Sequence, residues 1–197
     1  VARTAHFDDA LDMLESALRL YVAEFATREV FVHAGAVGWR GRAILIPGTS
    51  RAGKSTLVAE LVRAGAEYYS DELAVLDGRG RVHPYPMPLQ LRDSQAAAER
   101  RVTAVELGGH VGLRPLRVGL VLATEYRDGA RWRPHNISAG RCVLALMAHA
   151  VTARRRPEYT LATLHAAVCG ADALKGVRGE AREVVDALRK LFGEAGG

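Results

Sequence analysis

Cysteine and lysine are both scarce in this chain. Its 197 residues include only two cysteines, Cys142 and Cys169, which lie far apart without C-x-x-C spacing. A chain of this length buries roughly 70% of its extended surface, so it needs neither a disulfide nor a metal ion to fold. We therefore expect both thiols to be reduced, as they are in cytosolic proteins.

Long apolar runs are also missing. No segment approaches the roughly 18–20 apolar residues that cross a bilayer. Residues 1–13 lack the basic start and apolar centre of a signal peptide. We therefore expect a cytoplasmic protein without a membrane partner.

The basic charge of the chain is carried almost entirely by arginine. Of 27 basic residues only Lys54, Lys175 and Lys190 are lysines, and the net charge is +5. An arginine-rich surface suits nucleic acid, an acidic peptide or nucleotide phosphates. Aromatic residues make up only 6% of the chain and no stacking motif accompanies the charge. Nucleic acid is therefore the least favoured partner.

The N-terminal pattern predicts an amphipathic helix over residues 6–26. Its polar face carries charges of both signs, which argues against a membrane anchor. We expect its apolar stripe to pack into the core. The stripe consists of Phe7, Leu11, Leu14, Leu18, Tyr21, Val22 and Phe25.

The remaining pattern predicts a β-rich α/β domain spanning residues 1–197. It comprises an N-terminal helix (1–29), a β-core (30–126) and a C-terminal helical part (127–197), whereas 93–115 stays unassigned. Predicted strands are 30–39 and 43–47 as a hairpin, 73–77 and 81–86 as a second pair, and 116–126 as a buried strand. Predicted helices are 55–64 ended by Gly65, 142–152 begun by Ser138, 161–169 and 180–192.

One motif carries most of the functional information. Residues Gly48 to Ser55 match G-x-x-x-x-G-K-[ST] at every fixed position, after an apolar strand and before a helical pattern. In such a loop, main-chain N–H groups and the helix N-terminus surround phosphate oxygens. Lys54 is expected to reach the β and γ phosphates and Ser55 to bind Mg²⁺. The expected nucleotide contacts are Gly48, Thr49, Ser50, Arg51, Ala52, Gly53, Lys54, Ser55 and Thr56.

Two adjacent carboxylates follow this motif. Asp71 and Glu72 lie 17 and 18 residues after Lys54, behind a short strand, so their side chains should point to opposite faces. One of them should ligate Mg²⁺ beside Ser55, for which Asp71 is the candidate, or accept the proton of a hydroxyl group. Which of the two is the base stays open. No LSGGQ or NKxD motif is present, which argues against transporter ATPases and GTPases.

The stretch FVHAGAV…AILIPGTSRAGKSTLVAELVRAGAEYYSDELAVLD resembles the HPr kinase/phosphorylase family. It resembles more closely the smaller related kinases found beside peptide-modification and export systems. Three features carry the likeness: His33 placed 15 residues before Gly48, the loop itself, and the acidic pair. The resemblance implies a P-loop β-core related to that of phosphoenolpyruvate carboxykinase, with flanking helices. It also implies ATP- and Mg²⁺-dependent phosphorylation of a serine hydroxyl, and homo-oligomers.

By this resemblance, His33 orients the base or contacts the γ-phosphate, and Arg92 neutralises charge or holds the acceptor. Glu72 stands at the position of the family's Asp base, and Gln90 at the position of a metal-binding Glu. The glycine-rich signature tied to HPr and to phosphorolysis is missing. This last departure argues against HPr as the substrate and against the reverse reaction.

The sequence therefore predicts a P-loop kinase that phosphorylates a serine on a peptide or protein. Two alternatives remain: a kinase for a small hydroxylated molecule such as free serine, and a non-catalytic nucleotide sensor. Gln90 motivates the sensor, because an amide binds Mg²⁺ more weakly than a carboxylate does. The sequence leaves open the acceptor, the choice between ATP and GTP, and the oligomeric state.

Overall fold

Ten strands and five α-helices make up the part of the chain that the structure describes. The structure is a computed structural model and describes residues 7–48, 53–92 and 99–194. The helices are α1 (Phe7–Phe25), α2 (Lys54–Arg63), α3 (Ala139–Met147), α4 (Pro157–Val168) and α5 (Ala181–Glu194). The strands are β1 (Glu29–Trp39), β2 (Arg42–Pro47), β3 (Glu67–Ser70), β4 (Leu73–Asp77), β5 (Arg81–His83), β6 (Leu89–Arg92), β7 (Glu99–Val102), β8 (Leu116–Tyr126), β9 (His135–Asn136) and β10 (Asp172–Arg178).

Eight of these strands form one curled sheet, in the order β2-β1-β4-β5-β8-β10-β9, with β3 added beside β1. Strand β1 is antiparallel to β2, β3 and β4, whereas β8 is parallel to β2 and β10. Because β8 also pairs with β5, the sheet curls back on itself. Strands β6 and β7 form a separate two-stranded ribbon. The chain is therefore a mixed α/β protein with a central sheet and flanking helices, as the sequence predicted.

Helices cover both faces of this sheet. Ile44 and Ile46 of β2 pack in the cluster formed with α2 and α5, whereas Leu45 packs in the cluster formed with α3 and α4. Side chains alternate between the two faces of a strand, so a strand covered on both faces must be apolar at every position. This explains the unbroken run AILIP.

Several predicted elements are confirmed. Strands β1 and β2 form the predicted hairpin, with Trp39 opposite Arg42. Helix α2 follows the glycine-rich motif, and Gly65 after it has φ +102°, a conformation that favours glycine. The Ser138 side chain caps α3 by accepting a hydrogen bond from the main-chain N–H of Arg141 at 3.4 Å.

The helix predicted over 142–152 ends earlier than expected. Helix α3 stops at Met147, and a 3₁₀ helix follows at Val151–Arg154. Between them, Ala150 bridges to Val32 on β1 and the His149 carbonyl accepts a hydrogen bond from the His33 N–H at 2.8 Å. These contacts with β1 replace the helical hydrogen bonds. The sequence around Ala150 contains no pattern that predicts them.

Strand β10 was not anticipated. It pairs with β8 along all seven of its residues, yet only Ala173 and Arg178 of the strand are buried. A strand with so few buried apolar side chains gives almost no alternating signal. Its place in the sheet comes from main-chain pairing with β8.

The prediction that the α1 stripe packs into the core is wrong. Its seven apolar side chains, from Phe7 to Phe25, are between 43% and 77% exposed. Helix α1 instead turns its opposite face inward, where Ala23 is fully buried against Phe31 and Val75. Three ion pairs also hold this helix to the body: Arg19 with Glu72, Asp12 with Arg101, and Glu24 with Arg155.

Small and polar residues thus dock α1, because a residue the size of Ala23 lets two backbones approach closely.

Within the described residues, no helix is both long enough and apolar enough to span a membrane.

Replacing Gly80 with alanine should strongly destabilise the fold. Gly80 has φ +72°, and a Cβ atom there would lie 2.3 Å from the main-chain nitrogen of Ala167 in α4. We expect a loss of about 2–5 kcal/mol, from left-handed backbone strain plus overpacking. Gly129→Ala is the control, because Gly129 has φ +67° but no neighbour within 4 Å. It should cost about 1–2 kcal/mol. Denaturant unfolding measures both, and equal losses would contradict the packing argument.

Candidate functional site

The glycine-rich motif lies between the end of β2 and the start of α2. Gly53 precedes the helix with φ +72°, a backbone conformation that side-chain-bearing residues rarely adopt. Gly48 follows β2, and its N–H donates to the His33 carbonyl at 3.2 Å. Thr49, Ser50, Arg51 and Ala52 lie outside the described residues. The predicted strand and helix on either side of the motif are confirmed.

Asp71 lies in the turn after β3 and faces the start of α2. The Ser55 hydroxyl donates a hydrogen bond to its carboxylate. Burial raises the pKa of Asp71, against the opposing effects of the Ser55 hydrogen bond and the Lys54 charge. Within the described part of the chain, the buried Oδ1 atom of Asp71 has no hydrogen-bond partner. A hydroxyl and a carboxylate with a spare oxygen are the hard oxygen ligands that Mg²⁺ prefers, so these residues fit this ion.

Glu72 points the other way, as expected for adjacent residues after a strand. Its side chain is 55% exposed and forms an ion pair with Arg19 of α1 at 3.5 Å. Its main-chain oxygen accepts hydrogen bonds from the Ala34 N–H, at 3.2 Å, and from the His33 ring. The two carboxylates therefore occupy different surroundings.

Lys54 begins α2 and lies near both carboxylates. Burial lowers the pKa of Lys54, while the negative charges of Asp71 and Glu72 act in the opposite direction. A partly desolvated ammonium group at a helix N-terminus is suited to bind an anion, because the helix dipole and the charge act together.

Two histidines flank this group, of which the sequence indicated only one. His33 on β1 is half-buried, and burial lowers its pKa, as does the Lys54 charge, while Glu72 raises it. His149 lies beside it after α3. Burial, Lys54 and His33 lower the pKa of His149. Nothing local marks His149, since the turn after α3 alone brings it here.

Arg178 at the end of β10 is a second residue that the sequence analysis missed. It is 1% exposed, and its guanidinium donates to the Gly53 carbonyl at 2.6 Å and to the Gly179 carbonyl at 3.0 Å. Its Nε atom has no hydrogen-bond partner among the described residues. Burial lowers the pKa of Arg178. Nothing in the sequence placed Arg178 beside the motif, because β10 itself was not predicted.

A cavity of about 520 Å³ opens in front of α2. Gln90 lies in its wall, while Arg92 ends β6 and its side chain is not among those described. The described residues contain no cluster of three or more His, Cys, Asp or Glu suited to a metal ion. Mg²⁺ commonly needs only one or two carboxylates beside phosphate oxygens. The cavity is lined by Glu15, Ser16 and Arg19 of α1, Gly53, Lys54, Ser55 and Thr56, Asp71 and Glu72, Met87, Pro88, Gln90 and Arg101.

Replacing Asp71 with asparagine should stabilise the ligand-free protein at neutral pH. The folded-state pKa of Asp71 is raised by burial, so ionised Asp71 favours the unfolded chain and stability falls as pH rises through that pKa. We expect a melting temperature above that of the wild type, and each 1 kcal/mol of added stability corresponds to about 2–4 °C in a chain this long. The difference should vanish below the unfolded value near 3.8. A variant that is less stable at pH 7 would contradict this.

Comparison with known proteins finds only distant structural similarity. Neither a family model nor a curated protein matches it. Among solved structures, the HPr(Ser) kinase/phosphatase from Coxiella burnetii is similar at 14% identity with a TM-score of 0.45. The match covers 82% of this chain and 98% of that one. A likeness of this size does not establish an activity, so the family indicated by the motifs stays a prediction.

Proposed function

We propose that this chain binds a nucleoside triphosphate with Mg²⁺ at the N-terminus of α2 and phosphorylates a serine hydroxyl on a peptide or protein. One observation carries the proposal. Lys54 and Ser55 of the glycine-rich motif share a cavity with Asp71 and Glu72, and Asp71 accepts a hydrogen bond from Ser55. A chance glycine turn before a helix would not bring a carboxylate onto the motif's own hydroxyl.

Phosphoryl transfer depends on positioning and on charge neutralisation. Lys54 supplies a positive charge at the helix N-terminus, where it would hold the β and γ phosphates. Ser55 and Asp71 would hold Mg²⁺, which supplies further positive charge to the phosphate oxygens when bound. The Oδ1 atom of Asp71, which has no hydrogen-bond partner among the described residues, and the cost of its burial both favour a cation beside it.

In this proposal Glu72 is the general base that acts on the acceptor hydroxyl. Its carboxylate lies in the cavity wall, where it forms an ion pair with Arg19 of α1. There it would accept the proton of the acceptor hydroxyl while the new oxygen–phosphorus bond forms and the bond to the β-phosphate oxygen breaks. The His33 ring holds the Glu72 main chain and so would orient this base. A positioned base contributes roughly 10²–10⁴-fold to the rate.

The peptide or protein acceptor is the part of the proposal that rests on the sequence resemblance. A nucleotide sensor is the second candidate, because Gln90 places a neutral amide in the cavity wall where the related family has a carboxylate.

Changes to Lys54 and to the acidic pair should separate binding from chemistry. Lys54→Ala should weaken nucleotide binding and abolish transfer, since it removes the charge that holds the phosphates. Asp71→Asn/Glu72→Gln should lower transfer by at least roughly 10²-fold. Phosphate transfer is measured with labelled ATP and Mg²⁺. The acceptors are leader-type peptides, acidic peptides and small alcohols including serine. Calorimetry measures binding.

The matched control is Glu158→Gln/Asp172→Asn, two exposed carboxylates outside the cavity lining. It should transfer phosphate like the wild type. Wild-type rates in the acidic-pair variant would overturn the mechanism, whereas tight ATP binding without ADP release with any acceptor would favour the sensor. Transfer to small alcohols alone would exclude the peptide acceptor.

A further inference from the structure

Four strands end at the same edge of the sheet, around the start of α2. Strand β2 is parallel to β8, which is parallel to β10, and β3 shares their direction because both β2 and β3 are antiparallel to β1. The start of α2 follows β2 through the glycine-rich motif and so lies at these carboxyl ends. Whatever binds at the start of α2 therefore lies between the end of β3 and the ends of β8 and β10.

The two sides of this edge differ in chemistry. On the β3 side lie the carboxylates Asp71 and Glu72 and the cavity. On the other side Tyr126 ends β8 directly opposite Arg178, the last residue of β10. Both approach Gly53: a Cβ atom on Gly53 would lie 3.5 Å from the Tyr126 Cβ and 2.6 Å from an Arg178 nitrogen.

Tyr126 and Arg178 together form a surface beside the motif, which we call the ledge. The Tyr126 side chain is 46% exposed, so part of its ring is open to a ligand. The Arg178 guanidinium carbon lies 5.6 Å from the centre of that ring, within cation–π range. Arg178 is itself fixed by its hydrogen bonds to Gly53 and Gly179. The ring therefore stands on a rigid, buried support rather than on a mobile loop.

The orientation of a bound triphosphate follows from these two sides. With its terminal phosphate facing the carboxylates, a triphosphate that spans the motif would extend its nucleoside end towards β8 and β10. We propose that the nucleobase stacks on the Tyr126 ring, on the ledge formed with Arg178; this rests on the proposed function. Every base offers a π-face, so such a stack supplies affinity without reading the identity of the base.

Comparing two ligands tests this subsite. The probes are ATP with Mg²⁺ and inorganic tripolyphosphate with Mg²⁺, titrated by calorimetry into the whole chain. Tyr126→Ala should weaken ATP binding on the order of tenfold, the effect of losing one base–aromatic stack. Binding of tripolyphosphate should stay unchanged, because it has no base. Tyr126→Phe keeps the ring and should bind ATP like the wild type.

The control is Tyr21→Ala, which removes an exposed tyrosine from the outer face of α1 and should change neither affinity. Equal losses for both ligands in Tyr126→Ala would overturn the stack, as would unchanged ATP binding. Wild-type protein that binds tripolyphosphate as tightly as ATP would also overturn it while leaving the phosphate site intact. Failure to bind either ligand would instead overturn the proposed function and the stack with it.

Discussion

The N-terminus of α2 is held from two sides, by the turn after β3 and by the end of β10. In the turn, Asp71 accepts a hydrogen bond from the Ser55 hydroxyl, and on β10 Arg178 donates to the Gly53 carbonyl at 2.6 Å. Both contacts involve groups that burial discourages from carrying charge, since the pKa of Asp71 is raised and that of Arg178 is lowered. Burial therefore favours the neutral forms of these side chains, although the fold brings two ionisable residues to this position.

This conflict is typical of functional sites, where perturbed titratable groups cluster. Buried charge without full pairing destabilises a fold unless a ligand compensates for it. The Asp71 Oδ1 atom lacks a hydrogen-bond partner in the described part of the chain and suits a cation, whereas the Lys54 ammonium suits an anion. A magnesium–triphosphate complex carries both charges in one ligand. Under the proposed function, the groups that lower the stability of the ligand-free protein would raise the stability of the complex.

Much of the fold could be predicted because its central strands are buried on both faces. AILIP and the apolar centre of β8 give strong local signals, and the hairpin of β1 and β2 needs only a short turn. Helix α1 shows the limit of such reasoning. Its amphipathic pattern predicted a helix correctly, but the pattern could not tell which face docks, because Ala23 and charged side chains made that choice.

The sequence by itself determined the strand, glycine-rich motif and helix around Lys54, and the short-range spacing that places Asp71 and Glu72 on opposite faces. These features depend on neighbours along the chain, where local geometry is decisive. Only the tertiary structure brought His149 and Arg178 to the motif, since β1 and β8 recruit their segments through main-chain pairing. Such pairing involves main-chain groups that every residue except proline possesses, so it leaves no mark on the pattern of side chains.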